Sequence, residues 1–181
     1  MPGPGGCTAR TTDEEVTMER LNALSAVNAE NELLTCCASR RWAAAVAAGR
    51  PYGDLAGLRA ASARALAELD WSDVAEALAA HPRIGERAAG QDREAAWSRR
   101  EQAGVDDAGE ATRRALLEGN KAYEERFGHV YLICATGLGA GEMLAALTRR
   151  LDNDAETERG VVRAELAKIV DIRLAKLTEE G

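Results

Sequence analysis

Apolar residues recur at intervals of three and four along most of this chain, and this spacing constrains the fold more than any other feature. Leu55, Leu58, Leu66 and Leu69 fall on one helical face, and Ser62 is the one polar residue on it. A side chain as small as Ser62 suits a close contact between helices. Alanine and leucine favour helix, whereas aromatic residues make up only 4% of the sequence, too few for a large sheet. The predicted fold class is therefore all-α, a single-domain bundle of about 8 helices with no substantial sheet.

Residues that start and stop helices divide the chain into segments. Asn28 is expected to cap one continuous helix over residues 30–49, and Ser72 is expected to open a short helix over residues 73–80. That short helix should stop at His81, because a residue before proline avoids helical geometry. The other predicted helices are one around residues 18–24, one over 55–69, one from Asp106 or Asp107 to Arg126, one over 142–151 and one over 157–178.

Two segments between these helices lack the helical spacing of apolar residues. Residues 83–96 are expected to form a loop, after which Ser98 begins a new turn as its cap. Residues 129–135 are the only extended apolar run. Since one strand cannot form a sheet, we predict a buried connector there.

Charge and cysteine content exclude several classes of protein. The net charge is −7 and the arginine pairs are dispersed among acidic residues, so no nucleic-acid partner is expected. No apolar run approaches the roughly 20 residues of a membrane span, and no membrane partner is expected. Residues 1–16 lack the apolar core of a secretion signal and are predicted to form a disordered tail before a single domain over residues 17–181. The four cysteines form no CxxC motif, which favours reduced thiols and a cytoplasmic location. Cys36 and Cys37 fall in a helical stretch, and at least one of them is expected in the core.

The usual cofactor signatures are missing. His81 and His129 are the only histidines and no cysteine cluster exists, so no metal site is expected. The sequence holds neither a GxSxG elbow nor a GxxxxGK[ST] phosphate loop. The glycine-rich run over residues 137–141 follows an apolar segment, but Glu142 stands where a dinucleotide-binding loop has glycine or alanine. A turn before a helix is the simpler interpretation.

His81 is the residue best suited to chemistry. It lies beside a proline at a predicted helix end, where a histidine can also be purely structural. A neighbouring carboxylate would favour its protonated form, which suits proton donation near neutral pH. Glu86, Glu94 and Glu101 are the candidates, and spacing alone does not select among them. Arg173, near the apolar side of the last helix, is either solvated or reaches a substrate carbonyl.

Four motifs occur in order along the chain. They are His81-Pro-Arg-Ile-Gly85, Ser98-x-x-Glu101-Gln102, Asn120-x-x-Tyr123-x-x-x-Phe127-Gly128-x-x-x-Leu132-Ile133 and Glu165-x-x-Lys168-Ile169-x-x-Ile172-Arg173-Leu174. Together they resemble the 2-oxo-4-hydroxy-4-carboxy-5-ureidoimidazoline (OHCU) decarboxylase family over residues 18–178. The resemblance implies an all-helical fold, a homodimer, no cofactor, and decarboxylation of OHCU to (S)-allantoin at the end of urate oxidation.

The resemblance also implies a set of site residues. His81 matches the catalytic histidine and Arg173 the site arginine, and we assign Glu101 to the catalytic group with them. The substrate-binding positions carried over are Pro82, Ser98, Arg99, Arg100, Glu101, Gln102, Tyr131, Leu132, Ile133, Cys134 and Ala135. His129 stands where an aromatic residue is frequent in the family, and it adjoins this set.

The implied reaction agrees with the absence of cofactor motifs. Loss of CO₂ next to an imine leaves an electron pair that delocalises, so proton control and hydrogen bonds suffice. Backbone N–H groups of residues 131–135 are expected to bind carbonyl oxygens, as in an oxyanion hole. Two alternatives remain: a cofactor-free lyase or hydrolase acting on a related ureido compound, and a non-enzymatic helical interaction module. The module predicts a broad exposed apolar face and no pocket near His81.

Overall fold

The computed structural model describes residues 18–86, 93–106 and 108–179, and these residues form helices and no strand. This confirms the all-α prediction. The elements are α1 (residues 18–23), α2 (Ala26–Leu34), α3 (Arg40–Ala48), α4 (Leu55–Ala67), α5 (Trp71–Ala79), α6 (Arg93–Glu101), a 3₁₀ turn (Ala103–Val105), α7 (Glu110–Phe127), α8 (Ala140–Arg150) and α9 (Ala155–Glu179).

The helices enclose two hydrophobic cores. The first lies among α1 to α6 and α9, and its largest fully buried side chains are Trp42 and Trp97. The second lies between α7 and α8 and includes Tyr123 and Met143. The 25 residues of α9 extend about 37 Å, at roughly 1.5 Å per residue. This helix is therefore long enough to span the first core and reach the segment between the two.

The apolar segment at residues 129–135 is largely buried, as predicted, and it lies between the two cores. Tyr131, Ile133 and Ala135 pack into the second core, whereas Leu132 is buried in the first. Such alternation is typical of extended backbone, because successive side chains point to opposite sides. We call residues 129–135 the connector.

Two predictions about small core side chains are confirmed. Ser62 is buried on α4, and its hydroxyl oxygen accepts a hydrogen bond of 3.2 Å from the indole N–H of Trp42 on α3. Cys36 and Cys37 are both fully buried in the first core. Burial raises the pKa of each thiol to about 12, so both are neutral at physiological pH.

The prediction of one continuous helix over residues 30–49 is wrong. Residues 35–39 interrupt it and separate α2 from α3. Ser39 begins α3 as its cap, with its hydroxyl oxygen accepting from the N–H of Trp42 at 3.4 Å. The cap of α2 is Ser25 and not Asn28, whose own N–H is the group that Ser25 binds. A serine that caps competes with helix continuation, and apolar spacing does not reveal which role it takes.

Three other helix starts were also misplaced. Helix α5 begins at Trp71, because Asp70 and Asp73 form a reciprocal capping box; Ser72 only donates to Asp70. Ser98 lies inside α6, which already includes residues 93–96 of the predicted loop. The long helix begins at Glu110 rather than Asp106, and Asp107 lies outside the described residues.

The predicted tail, with Cys7, lies outside the described residues. None of the described helices combines the length and the apolar character that a membrane crossing requires.

Candidate active site

The loop after α5 presents His81 to the cleft between the two cores. The N–H of His81 donates to the carbonyl of Leu78 at 3.0 Å, which makes His81 the last hydrogen-bonded residue of that helix end. Pro82 follows and cannot continue the helix. Gly85 then turns the chain with a φ of +90°, a conformation that L side chains rarely adopt.

The loop is held in place by three side chains that lie on α7 or just after α6: Gln102, Asn120 and Glu124. The side-chain oxygen of Gln102 accepts from the N–H of Gly85 at 3.0 Å, and the side-chain amide of Asn120 donates to the carbonyl of Ile84 at 2.8 Å. Arg83 makes two hydrogen bonds, of 2.5 and 3.0 Å, to the carboxylate of Glu124 on α7. Gln102 directly follows α6, and Asn120 and Glu124 lie on α7, so the end of one helix and the body of another hold the loop.

Glu101 and Arg173 form a buried ion pair across the cleft floor. Arg173 donates to both carboxylate oxygens of Glu101, at 3.0 and 2.9 Å, and to the hydroxyl of Ser98 at 3.1 Å. The Lys176 amine lies 3.6 Å from the same carboxylate. The Arg173 side chain is 2% exposed and that of Glu101 is 10% exposed, so two fork-shaped groups face each other out of water.

The cleft encloses about 400 Å³ that no protein atom fills, including the solvent at its opening. Predicted site residues that line it are His81, Pro82, Ser98, Glu101, Gln102, Tyr131, Leu132, Ile133 and Ala135.

Four predicted residues do not line this cleft. Arg173 lies behind Glu101 and Ser98. Arg99 lines a neighbouring cleft that shares Ser98 and Gln102 with the first one, and Arg100 is exposed on α6. Cys134 is half-buried, and the carboxylate of Glu165 accepts its backbone N–H at 2.7 Å.

Four lining residues were not among the predicted site residues: Ile84, Thr136, Ile169 and Ile172. The two α9 residues stand four and one positions before Arg173. A helix that points an arginine into a site also points its i−4 neighbour there, so the helical spacing could have found Ile169. Nothing in the local sequence marks Thr136, which enters only because the connector bends at its end.

The electrostatics of the site correct one prediction. Burial and the charge of Arg173 lower the pKa of His81 to about 4, although Glu101 acts in the opposite direction. The expectation that a carboxylate keeps His81 protonated near neutral pH is therefore wrong. A buried cation costs solvation energy, and Glu101 is already neutralised by Arg173. His81 is therefore neutral at physiological pH.

Glu101 remains charged for a related reason. Burial alone would raise its pKa, but the hydrogen bonds and positive charge of Arg173, with help from Lys176 and His81, lower it below its ordinary value. For Arg173, burial would lower the pKa, and the same pair with Glu101 raises it. The cleft thus has a neutral acceptor, His81, beside a balanced ion pair.

Within the described residues, no three histidine, cysteine, aspartate or glutamate side chains are grouped so that they could hold a metal ion. The site instead combines a neutral histidine, a carboxylate–guanidinium pair and an extended backbone segment in one enclosed cleft. Fold and site together define a class: small all-α enzymes that move protons on a small polar substrate.

A family model described as OHCU decarboxylase matches residues 22–175. The chain belongs to this family.

Individual relatives agree with the family match. A 2-oxo-4-hydroxy-4-carboxy-5-ureidoimidazoline decarboxylase of Amia calva is 34% identical over 76% of this chain and 79% of its own. A protein of the same name from Haloferax volcanii is 28% identical over 90% of this chain and 96% of its own. The uric acid degradation bifunctional protein TTL of Arabidopsis thaliana is 30% identical over 82% of this chain; the match spans 47% of that protein, about half its length.

Solved structures share the fold. A crystal structure of an OHCU decarboxylase in the presence of (S)-allantoin has a TM-score of 0.72 at 27% identity, covering 82% of this chain and 97% of that one. An (S)-allantoin synthase structure has a TM-score of 0.65 at 18% identity, with 88% and 53% covered, and shows likeness of fold alone.

Proposed function

We propose that this protein decarboxylates OHCU to (S)-allantoin, the last step of urate oxidation, with His81 as the proton-transfer group. The observation that carries the proposal is the position of His81, which shares one cleft with Glu101 and the connector in a chain of this family.

The chemistry can be balanced with the groups present. The bond between C4 and its carboxylate breaks, CO₂ leaves, and the electron pair enters the ring while the imine nitrogen takes up a proton from solvent, the one proton that the overall reaction consumes. The resulting enol loses its hydroxyl proton and gains a proton at C5. Neutral His81 accepts the hydroxyl proton and, as a cation near Glu101, donates a proton to one face of C5, which sets the S configuration.

The remaining predicted residues have supporting roles. A tight grip on the departing carboxylate would stabilise the ground state and slow the reaction, so binding should fall on other substrate groups. Arg173 lies behind Glu101 and Ser98, and we assign it to holding these two side chains toward the ring and ureido groups of the substrate. Pro82 shapes the wall beside His81, and Ser98 and Gln102 bind polar groups of the substrate. Arg99 and Arg100 lie beyond the cleft, where they attract the anionic substrate.

Four further properties belong to the proposal. Residues 17–181 form one domain, which the family match over residues 22–175 supports. The protein is a cytoplasmic homodimer, and the buried, neutral Cys36 and Cys37 suit a reducing compartment. No cofactor takes part, because imine and ring accept the electron pair. Sedimentation analysis tests the dimer, and activity after exhaustive dialysis against a chelator tests the last point.

The decisive experiment follows the optical activity of allantoin formed from freshly generated OHCU. Wild-type protein should accelerate formation of the S enantiomer over the spontaneous, racemic reaction. Replacement His81→Asn should lower kcat by at least about 10²-fold while the fold is kept, the usual scale for an acid–base group. The control is Arg114→Gln on the exposed face of α7, away from the cleft, which should change kcat little.

Two outcomes would contradict the proposal. Racemic allantoin at the uncatalysed rate would remove the activity, and a fully active His81→Asn variant would remove His81 from the mechanism. A higher kcat/KM on another ureido compound would favour the alternative lyase or hydrolase. The interaction-module alternative is not supported, because a cleft adjoins His81 and the exposed large apolar side chains among described residues are only Val27 and Leu117.

A further inference from the structure

Two buried or half-buried charged side chains bind the backbone of the connector from outside the cleft. The Arg150 guanidinium donates to the carbonyl of Leu132 at 2.7 Å. The Glu165 carboxylate accepts the N–H of Cys134 at 2.7 Å. Neither Arg150 nor Glu165 lines the cleft, and the proposed reaction assigns no role to either side chain.

The geometry of a peptide unit connects these contacts to the site. The only cis peptide in the described chain precedes Pro51, so the units of the connector are trans and planar. In a trans unit the C=O and the N–H point in opposite directions. The Leu132 carbonyl points at Arg150, and therefore the N–H of Ile133 points away from Arg150. By the same rule the Ile133 carbonyl points away from Glu165.

The contacts from Arg150 and Glu165, which we call the clamps, thus both lie on one edge of the connector. The N–H and C=O of Ile133 lie on the other edge. Ile133 lines the cleft with Ala135, and their N–H groups donate to no described residue. We infer that Arg150 and Glu165 are positioning residues that aim the Ile133 N–H into the cleft as a fixed donor to the substrate oxygen. This inference rests on the proposed function and adds how its backbone donors are held.

Arg150 is itself held rigidly. Its Nε donates to Glu158 at 2.8 Å, and Glu158 is fully buried and also accepts from the hydroxyl of Tyr123 and, at 2.8 Å, from Asn153. The guanidinium also lies 4.7 Å from the ring centroid of Tyr131 in the connector. A charged donor on the Leu132 carbonyl polarises that peptide unit and makes the Ile133 N–H a stronger donor.

Glu165 offers the cleaner test, because its side chain is near the surface and its other partner is the exposed Lys168, at 2.6 Å. Replacement Glu165→Ala removes the clamp on Cys134, whereas Glu165→Gln keeps an acceptor oxygen there. Lys168→Met is the matched control, since it removes only the outer partner of Glu165. A second arm replaces Arg150 and Glu158 together by methionine, with exposed Arg149→Met as its control.

Each variant is assayed for kcat and KM with OHCU, for unfolding free energy, and for hydrogen exchange of the Ile133 and Cys134 amides. We expect Glu165→Ala and the double variant to lower kcat about 10-fold or more with a smaller change in KM, because misplaced groups lose transition-state contacts first. Glu165→Gln should recover most of kcat, and both controls should match wild type. The Cys134 amide should exchange at least about 10-fold faster in Glu165→Ala without a matching loss of global stability.

The inference fails if Glu165→Ala and the double variant keep wild-type kcat. It fails equally if kcat falls only in proportion to the unfolded fraction, or if Lys168→Met is as impaired as Glu165→Ala. If wild-type protein shows no activity on OHCU, the proposed function fails instead. Amide exchange then still decides whether the clamps hold the connector, and unchanged Cys134 exchange in Glu165→Ala would overturn that part.

Discussion

At the scale of single residues, the site depends on which charges are already satisfied. Glu101 is the carboxylate that raises the pKa of His81, yet both of its oxygens accept hydrogen bonds from Arg173. Its negative charge is therefore largely cancelled, and burial determines the pKa of His81. A proton that His81 gains during the reaction is therefore held weakly, which favours its transfer to the substrate.

We predict a titration of His81 near pH 4 in the free protein, well below the ordinary value of 6.5. Replacement Glu101→Gln should lower this pKa further, because Glu101 is the group that raises it. NMR of ¹³C-labelled histidine measures both values, and an unshifted pKa near 6.5 would show that the ring is solvated. The acid limb of kcat/KM should follow the same pKa, since that ratio reports the free enzyme.

The low pKa also makes stability depend on pH. The unfolded chain binds a proton to His81 near pH 6.5 and the folded protein only near pH 4, so protons favour the unfolded state between these values. The contribution of neutral His81 to the free energy of unfolding is complete above pH 6.5. It is lost as the pH falls to about 4, a difference of at most about 3 kcal/mol. The His81→Asn variant should lack this part of the slope in denaturant titrations.

At the scale of elements, short polar side chains decide where helices begin. The break between α2 and α3 places Cys36 and Cys37 in the core near Arg173 of α9 and leaves Ser39 fully buried. Asp70 and Asp73 begin α5 in the same way and thereby fix the register of the helix that ends just before His81. One residue of slippage in α5 would rotate its end by about 100° and move His81 out of the cleft.

We predict that Ser39→Ala lowers the free energy of unfolding by about 1 kcal/mol, the usual cost of a lost helix cap. Ser72→Ala is the control: its exposed hydroxyl only donates to Asp70, and the change should be within about 0.5 kcal/mol. Urea denaturation measures both. Equal stability of the two variants would show that the Ser39 cap contributes nothing.

At the scale of the whole molecule, two cores meet at the connector, and a buried charge network joins them. Arg150 on α8 contacts Glu158 on α9 and the carbonyl of Leu132, with side chains 9% and 0% exposed for the ion pair. Such a pair need not stabilise the fold, since desolvation offsets the attraction. Its value here is the single arrangement it imposes on the two helices and the segment between them.

We predict that Arg150→Met alone lowers the free energy of unfolding by about 3–5 kcal/mol, because it leaves Glu158 buried and unpaired. The double replacement of Arg150 and Glu158 by methionine should recover most of this loss. Thermal and chemical unfolding of the single and double variants measure the difference. Additive losses in the double variant would mean that the two side chains do not act as a pair.

Much of the fold follows from local pattern. The stripe around Ser62, the stop of α7 at Gly128 and the stop at Pro82 depend on residues within one or two turns, so spacing predicts them. Helix starts at Ser25, Ser39 and Asp70 were misplaced, because several serines and aspartates near each start could serve as cap. Which one does so depends on the direction from which the chain arrives.

The sequence by itself determined the helical class, the extended connector and the family, because each is carried by residue types at fixed spacings. The positions of Arg173 behind Glu101, of Glu165 on the Cys134 amide and of Arg150 on the Leu132 carbonyl were decided only in the tertiary structure. They join residues 18 to 72 positions apart. The pKa of His81 belongs with them, since desolvation depends on what the rest of the chain packs around the ring.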